Sequence, residues 1–353
     1  MIKLTHTGSE PACEKGSNLQ SNRVNAHTPG VKPACAGREI PTPGVIFSNI
    51  SIIIPCKSKK DICPELLPAL KSQSLKPKEI IIVPDIFYKG STFVKILPHK
   101  GDPATKRDYA AKKSVGTVLT FIDSDAYPDK NWLKNATKHL KPKNITAVCG
   151  PGLTPSTNTK QQKVSGLVWS TLIGAGPYYY RNRPASSRFV DDYPTFNLLV
   201  KKKDFLTVNG FDTKFWPGED TKLCLDLTYK LNKKILYHPS IFVYHHRRPI
   251  FLPHLQQVSR YGFQRGRFVR LFPQTSRRLS YFIPLFFLLT FPLTWPIYLF
   301  VILLTGLYHH SLRLPQAIFL THLTYAIYFI KGLLIKIPHE GYEPSCNTHL
   351  YLN

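Results

Sequence analysis

The sequence predicts an α/β domain followed by a membrane-associated pair of apolar helices. Three observations carry this. Between residues 50 and 125, short β-branched runs alternate with stretches of helical period. Two carboxylates stand just past the third run, in FIDSD. From Tyr281 to Tyr308 no residue is charged. A chain of 353 residues has room for all three features.

The first 44 residues lack apolar periodicity and are rich in Gly, Pro, Ser, Asn and Thr, the composition of a disordered tail. They contain no long apolar stretch, so no secretory signal is expected there. Order is expected from residue 45. Ile50–Ile54 reads as a strand buried on both faces and closed by Pro55; ELLPALKSQSL (65–75) is a helix. EIIIVPD (79–85) is a second buried strand, TKRDYAAKKSVG (105–116) a helix closed by Gly116, and TVLTFIDSD (117–125) a third strand. Strands and helices alternating at this spacing predict a parallel sheet, and the continuous apolar runs predict cover on both faces.

The segment 281–308 is 28 residues, roughly 42 Å as a helix. That exceeds a bilayer core of about 30 Å. Pro284, Pro292 and Pro296 predict kinks or an interfacial first half. A weaker segment, about 314–335, completes a hairpin within 279–337; the alternative is two buried core helices. Arg277 and Arg278 precede the hairpin, and Lys331 and Lys336 end it. The positive-inside rule then places both flanks, and with them residues 1–278, in the cytoplasm. The expected organisation is a tail (1–44), a catalytic domain (45–250), an Arg-rich interface segment (251–278), the hairpin, and a second tail (338–353).

Composition narrows the function. A hydrophobic content of 43% excludes global disorder, and a mean hydropathy of −0.15 excludes a chain that is membrane-spanning throughout. The seven cysteines show no zinc spacing and predict no disulfide framework. The net charge of +26 points to anionic partners. Residues 247–278 hold eight of the 15 arginines and no acid. Arginine is the side chain for bidentate phosphate recognition, and anionic lipid is a second target for such a cluster.

Asp123 and Asp125 lie beyond the carboxyl end of a buried strand, where open α/β sheets place ligands. Two such carboxylates suit Mg²⁺ or Mn²⁺ shared with substrate phosphates; an ordinary acidic turn before Pro128 is the alternative.

ISIIIPCK, EIIIVPD, the run GDPATKRDYAAKKSVGTVLTFIDSD and the run FNLLVKKKDFLTVNGFDTKFWPGEDTKLCLDL (196–227) together resemble a family-2-type glycosyltransferase of the GT-A fold, over roughly residues 46–270. With YHHRR (244–248) and the hairpin, the chain is similar to membrane-attached bacterial exopolysaccharide or lipid-linked sugar transferases. The resemblance implies a metal-dependent, inverting transfer from a nucleotide-diphospho-sugar, a UDP-sugar first among the candidates. The acceptor would be a lipid-linked or glycan hydroxyl at the cytoplasmic membrane face. Pro84 stands where that family carries a first acid, and Asp108 where Asn is usual.

By the same resemblance, Pro55 and Asp85 lie on the nucleotide side, Arg107 beside the nucleotide, and Asp123 against ribose or metal. Asp125 would be the principal metal ligand. Asp220 would be the general base, with Glu219 as the alternative; an Asp220 that merely caps the following helix is a third reading. On a strand His245 and His246 point to opposite faces, so at most one joins the metal; a polar strand end is the bland alternative. Gln257, Arg260 and Tyr261 resemble a motif in which Gln and Arg contact diphosphate and an aromatic, there Trp, stacks on the acceptor. An amphipathic helix whose arginines reach lipid headgroups competes with that. Tyr178–Tyr180 and RNRPASSR (181–188) read as a mobile lid or a solvated loop. A nucleic-acid binder is disfavoured because no basic aromatic signature appears and the hairpin would be unexplained. A catalytically degenerate scaffold stays open on the strength of Pro84 and Asp108.

Overall fold

A computed structural model describes residues 48–336. The expected tails 1–44 and 338–353 lie outside them, as do Cys13, Cys35 and Cys346.

The strand β1 (Ile50–Pro55) is buried along its whole length, and so is nearly all of β2 (Glu79–Val83). Between them lies α1 (Leu66–Lys71), shorter than its period predicted. A two-residue β3 (Lys95–Ile96) follows, then α2 (Pro103–Lys113). Asp102 caps α2 by accepting the Thr105 N–H at 2.9 Å, and Pro103 occupies the first turn, where its missing N–H costs nothing. Gly116 does not close this helix. It lies beyond it, where a Cβ would stand 2.6 Å from the Ser51 nitrogen, so only glycine lets the chain pass.

Next come β4 (Val118–Ile122), β5 (Ala126–Pro128), α3 (Trp132–Leu140), β6 (Ile145–Cys149) and β7 (Gly152–Leu153). Helices α4 (Lys160–Ser170) and α5 (Leu172–Ala175) lead to β8 (Arg188–Val190), β9 (Asn197–Lys201), α6 (Lys202–Thr207) and α7 (Glu219–Leu225). Then β10 (Lys234–Tyr237) and β11 (Val243–His245) complete the strands.

Eight strands form one sheet in the order β3-β2-β1-β4-β9-β6-β10-β8, and β5-β11-β7 form a small second one. The first four are parallel, with Ile53 level with Ile81 on one side and Phe121 on the other. The three expected strands, β1, β2 and β4, are parallel as predicted, and the sheet becomes mixed beyond them: β9 runs antiparallel to both β4 and β6, and β8 antiparallel to β10. A buried apolar run such as NLLV has no feature that encodes its direction. The α/β class itself stands. Of RNRPASSR only the last residue leaves the loop, since Arg188 opens the edge strand β8.

After the sheet come α8 (Leu252–Leu271), α9 (Pro273–Ser276), α10 (Leu279–Tyr308) and α11 (Leu314–Leu334). Helices α8 and α11 approach closely through glycine: a Cβ on Gly266 would meet the Phe329 carbonyl oxygen at 2.1 Å, and one on Gly332 the Phe263 oxygen at 1.9 Å. Helices α10 and α11 pack as a hairpin. Phe282 meets Phe329 near its open end, and Gly306 abuts Pro315 near its turn. The ring centroids of Phe287 and Tyr298 lie 4.1 Å apart, with the planes tilted by 35°. A straight helix would separate their Cα atoms by roughly 16 Å along its axis, so α10 bends toward this face at its prolines. Only 6% of the most apolar stretch of α10 is buried in protein, against 33% for α11. Both are long and apolar enough to cross a membrane.

Candidate active site

The site gathers at the carboxyl ends of β1 and β4. Because β11 pairs with β5 in the register His245 to Ala126, the imidazole of His245 is carried to the acids that follow β4. His245 Nε2 lies 3.1 Å from Asp125 Oδ1, and ligand atoms of Asp123, Asp125 and His245 all fall within 4.8 Å of one another. Burial pushes the Asp125 carboxyl up, but His245 and Arg248 outweigh it and hold it at about 2. An acid ionised at neutral pH, a second carboxylate and an imidazole form a donor set that fits Mn²⁺ or Mg²⁺.

His246 faces the other way. The Asn158 side-chain oxygen accepts the Arg247 N–H, so its amide donates to His246 Nδ1 at 2.7 Å. The other nitrogen then carries the proton and points at Glu65 Oε2, 3.4 Å away. Cys63 completes this second cluster, but burial pushes its thiol up to about 12 and it donates to the Ala126 carbonyl. Of the two imidazoles, that of His245 meets the acids after β4 and that of His246 meets Glu65.

Arg107 links the two halves of the site. Buried on α2, it donates to Asp123 at 2.7 Å and to Glu219 at 3.2 Å. Glu219 opens α7 and is itself buried. The cap of α7 is Gly218, at φ 142°, which corrects the reading of Asp220 as the capping residue. Asp220 instead lies in the first turn, with its carboxylate accepting the Thr221 N–H at 2.8 Å. Burial, then Glu219 and Asp192, push its carboxyl up to about 7.

On the nucleotide side, Pro55 ends β1, buried and level with Val83. Asp85 lies just past β2 and pairs with Lys106 at 2.5 Å, and Lys106 also donates to the Cys56 carbonyl. Sequence reasoning passed over Lys106, although its place beside Arg107 in TKRD was a usable signal. Asp108 is not a site group. Its carboxylate accepts the Phe211 N–H at 3.0 Å, tying α2 to the turn at Gly210, and burial pushes it up to about 6.

On α8, Gln257 donates to the Tyr261 hydroxyl at 3.1 Å, and both line the same cavity as Asp220. Arg260 does not line it. Its place is taken by Arg265, eight residues after Gln257 and so on the same helical face. The expectation that Arg265 serves lipid headgroups is therefore corrected: its guanidinium pairs with the buried Asp192 at 2.8 Å. Arg181, expected in a lid or solvated loop, also donates to Asp192. Arg270 donates to the carbonyls of Leu333 and Ile335 at the end of α11. Asp192 and its two arginines were invisible in the sequence, where nothing marks residues 181, 192 and 265 as neighbours.

Residues 118–331, through both long apolar helices, match the family described as Glycosyl transferase family group 2. The pre-mycofactocin glycosyltransferase of Mycobacterium tuberculosis is 21% identical over 234 residues, 63% of this chain and 48% of that protein. The O-antigen biosynthesis protein RfbC of Myxococcus xanthus is 25% identical over 205 residues, 51% of this chain and 16% of that protein. The chain thus spans half or less of these relatives. Among solved structures, the mannosyltransferase PcManGT from Pyrobaculum calidifontis, in complex with GDP-Man and Mn²⁺, aligns with a TM-score of 0.54 at 14% identity. That alignment covers 82% of this chain and 88% of PcManGT, and it establishes the GT-A fold.

Proposed function

We propose that this chain, which belongs to Glycosyl transferase family group 2, works as a metal-dependent inverting nucleotide-sugar glycosyltransferase at a membrane face. The observation that carries this is the convergence of Asp123, Asp125 and His245 beside Asp220 in one cavity.

Asp123, Asp125 and His245 would hold Mn²⁺ or Mg²⁺. The cation, when bound, neutralises charge on the departing nucleoside diphosphate. Arg107 fixes Asp123 and Glu219 in one geometry and lines the same cavity. Asp220 takes the proton from the acceptor hydroxyl as that oxygen attacks the anomeric carbon. A carboxyl near pH 7 is well matched to this task. One base on the acceptor side supports single displacement, hence inversion. The exposed apolar surface of α10, with Arg277, Arg278 and Lys331 at the hairpin ends, supports a catalytic domain held on the cytoplasmic face.

The test is turnover of a panel of UDP-, GDP- and TDP-sugars by the full chain in lipid nanodiscs, with Mn²⁺, Mg²⁺ or chelator. We expect metal-dependent turnover of at least one donor, and its loss in Asp125→Asn. Turnover that survives chelator and Asp125→Asn would contradict the metal assignment.

A further inference from the structure

Helix α11 is bound to the catalytic domain along its length. It runs beside α8 in the same direction. His254 meets Thr321 at 2.9 Å, Gly262 faces the Tyr325 backbone, Gly266 faces the Phe329 carbonyl, and Arg270 donates to the Leu333 and Ile335 carbonyls. His254 also meets Ser165 of α4 at 2.8 Å, so the same contact ties α11 to the body of the domain. Whatever depth α11 takes in a membrane, α8 takes with it. Arg260 is exposed near the middle of α8, two residues before Gly262 and so level with the middle of α11. If α11 crossed a bilayer, that guanidinium would lie deep in hydrocarbon, where an ionised side chain is strongly disfavoured. Gln256, exposed on the same helix, would follow it.

Helix α10 touches the domain at both ends. Near its start Tyr281 stacks on Tyr178 at 4.7 Å, and near its end Ile302 is buried in a cluster with Val168 and Ile250. From Phe282 to Gly306 its axis is roughly 36 Å long, yet their partners on α11, Phe329 and Pro315, are separated by roughly 21 Å. The excess length bows outward around Pro292 and Pro296. Leu293, 85% exposed, stands on this crest with Leu289 and Ile297, and all three face away from protein. Arg277 before α10 and Arg313 after it are both exposed. An apolar crest with a cation at each end suits one leaflet, its side chains in the acyl region and its arginines among the headgroups.

We propose that the hairpin is seated in a single leaflet and does not cross the bilayer. The inference rests on the membrane-face reading above and replaces the two spans that length alone allows. The crest of α10 enters the hydrocarbon, α11 stays packed on α8 and α4, and the turn 309–313 remains on the side of the catalytic domain. Leu314, directly after that turn, is fully buried in the cluster it shares with Val168 and Ile250. A crossing hairpin would pull it out of that cluster and carry Arg313 to the far face, against the usual distribution of positive charge.

The experiment uses the full chain in inside-out and right-side-out membrane vesicles from expressing cells. Leu312→Cys marks the turn, where the side chain is 91% exposed, and Lys141→Cys marks the surface of the catalytic domain. A membrane-impermeant maleimide is added before and after detergent, and peptide mass spectrometry reads each site. Both cysteines should label in one vesicle type and both should be protected in the other. Leu293→Arg should lower the ratio of membrane-bound to soluble chain by about tenfold or more, with the unfolding midpoint kept. A Cys at 312 that labels only where the Cys at 141 is protected would overturn the single-leaflet seat and leave the membrane-face reading standing. An unchanged ratio in Leu293→Arg would remove the crest from the membrane and overturn the proposal. A parent chain found wholly in the soluble fraction would overturn the membrane-face reading itself, and this proposal with it.

Discussion

Arg107 Nη1 lies 3.2 Å from Glu219 Oε1 across 112 residues of chain, while Nη2 of the same guanidinium holds Asp123. One buried cation thus sets the spacing between the strand-end acids and the helix that carries Asp220.

Removal of that cation should damage both fold and activity. Arg107→Met leaves the buried Glu219 without its partner, which costs roughly 3–5 kcal/mol for a broken buried pair. Thermal unfolding should show a clear drop in midpoint, and the double variant Arg107→Met/Glu219→Gln should recover part of it. No recovery would mean that the ion pair is not what the guanidinium supplies.

The pH dependence has a definite sign. Asp220 must be ionised to act as base, and its carboxyl sits at about 7, so kcat/KM should rise with pH through that region. Glu219 is one of the charges that hold it up. In Glu219→Gln the limb should therefore move to lower pH. A limb that stays in place, or moves up, would assign it to another group.

The two histidines should separate cleanly. His245→Ala should raise the Mn²⁺ concentration for half-maximal activity by about tenfold or more, because an imidazole ligand is lost. His246→Ala should leave that concentration unchanged, since its ring is held by Asn158 and Glu65. Metal titrations of both variants decide this. Equal effects would contradict the orientation argument.

Asp108 offers a stability test away from the chemistry. Burial raises its folded carboxyl to about 6, so ionisation works against the fold as pH rises through that value. Asp108→Asn keeps an oxygen for the Phe211 N–H and carries no charge. It should be more stable than the parent at pH 8, by about 1 kcal/mol, and equal to it near pH 3. Unfolding midpoints at the two pH values measure the difference.

Much of this was legible in the sequence where the signal was local. The β1, β2 and β4 runs, the acids after β4 and the length of α10 all follow from short-range pattern. The direction of β9 was not legible, because NLLV is equally apolar in either sense. Nor was the face of α8 that turns inward. Gly262 and Gly266 of that helix, not its charges, decide how closely α11 approaches, and that contact turns Arg265 toward Asp192 and Arg260 away. Gly218 displaced Asp220 from the cap because a φ of 142° there is open to glycine and to few other residues.

The most direct measurement is release of nucleoside diphosphate from the preferred sugar donor in the presence of Mn²⁺, for the parent and Asp220→Asn, with Mn²⁺-nucleotide affinity measured alongside. The account predicts a fall in turnover of about 10²–10⁴-fold with nucleotide affinity intact. Undiminished turnover in Asp220→Asn would contradict it.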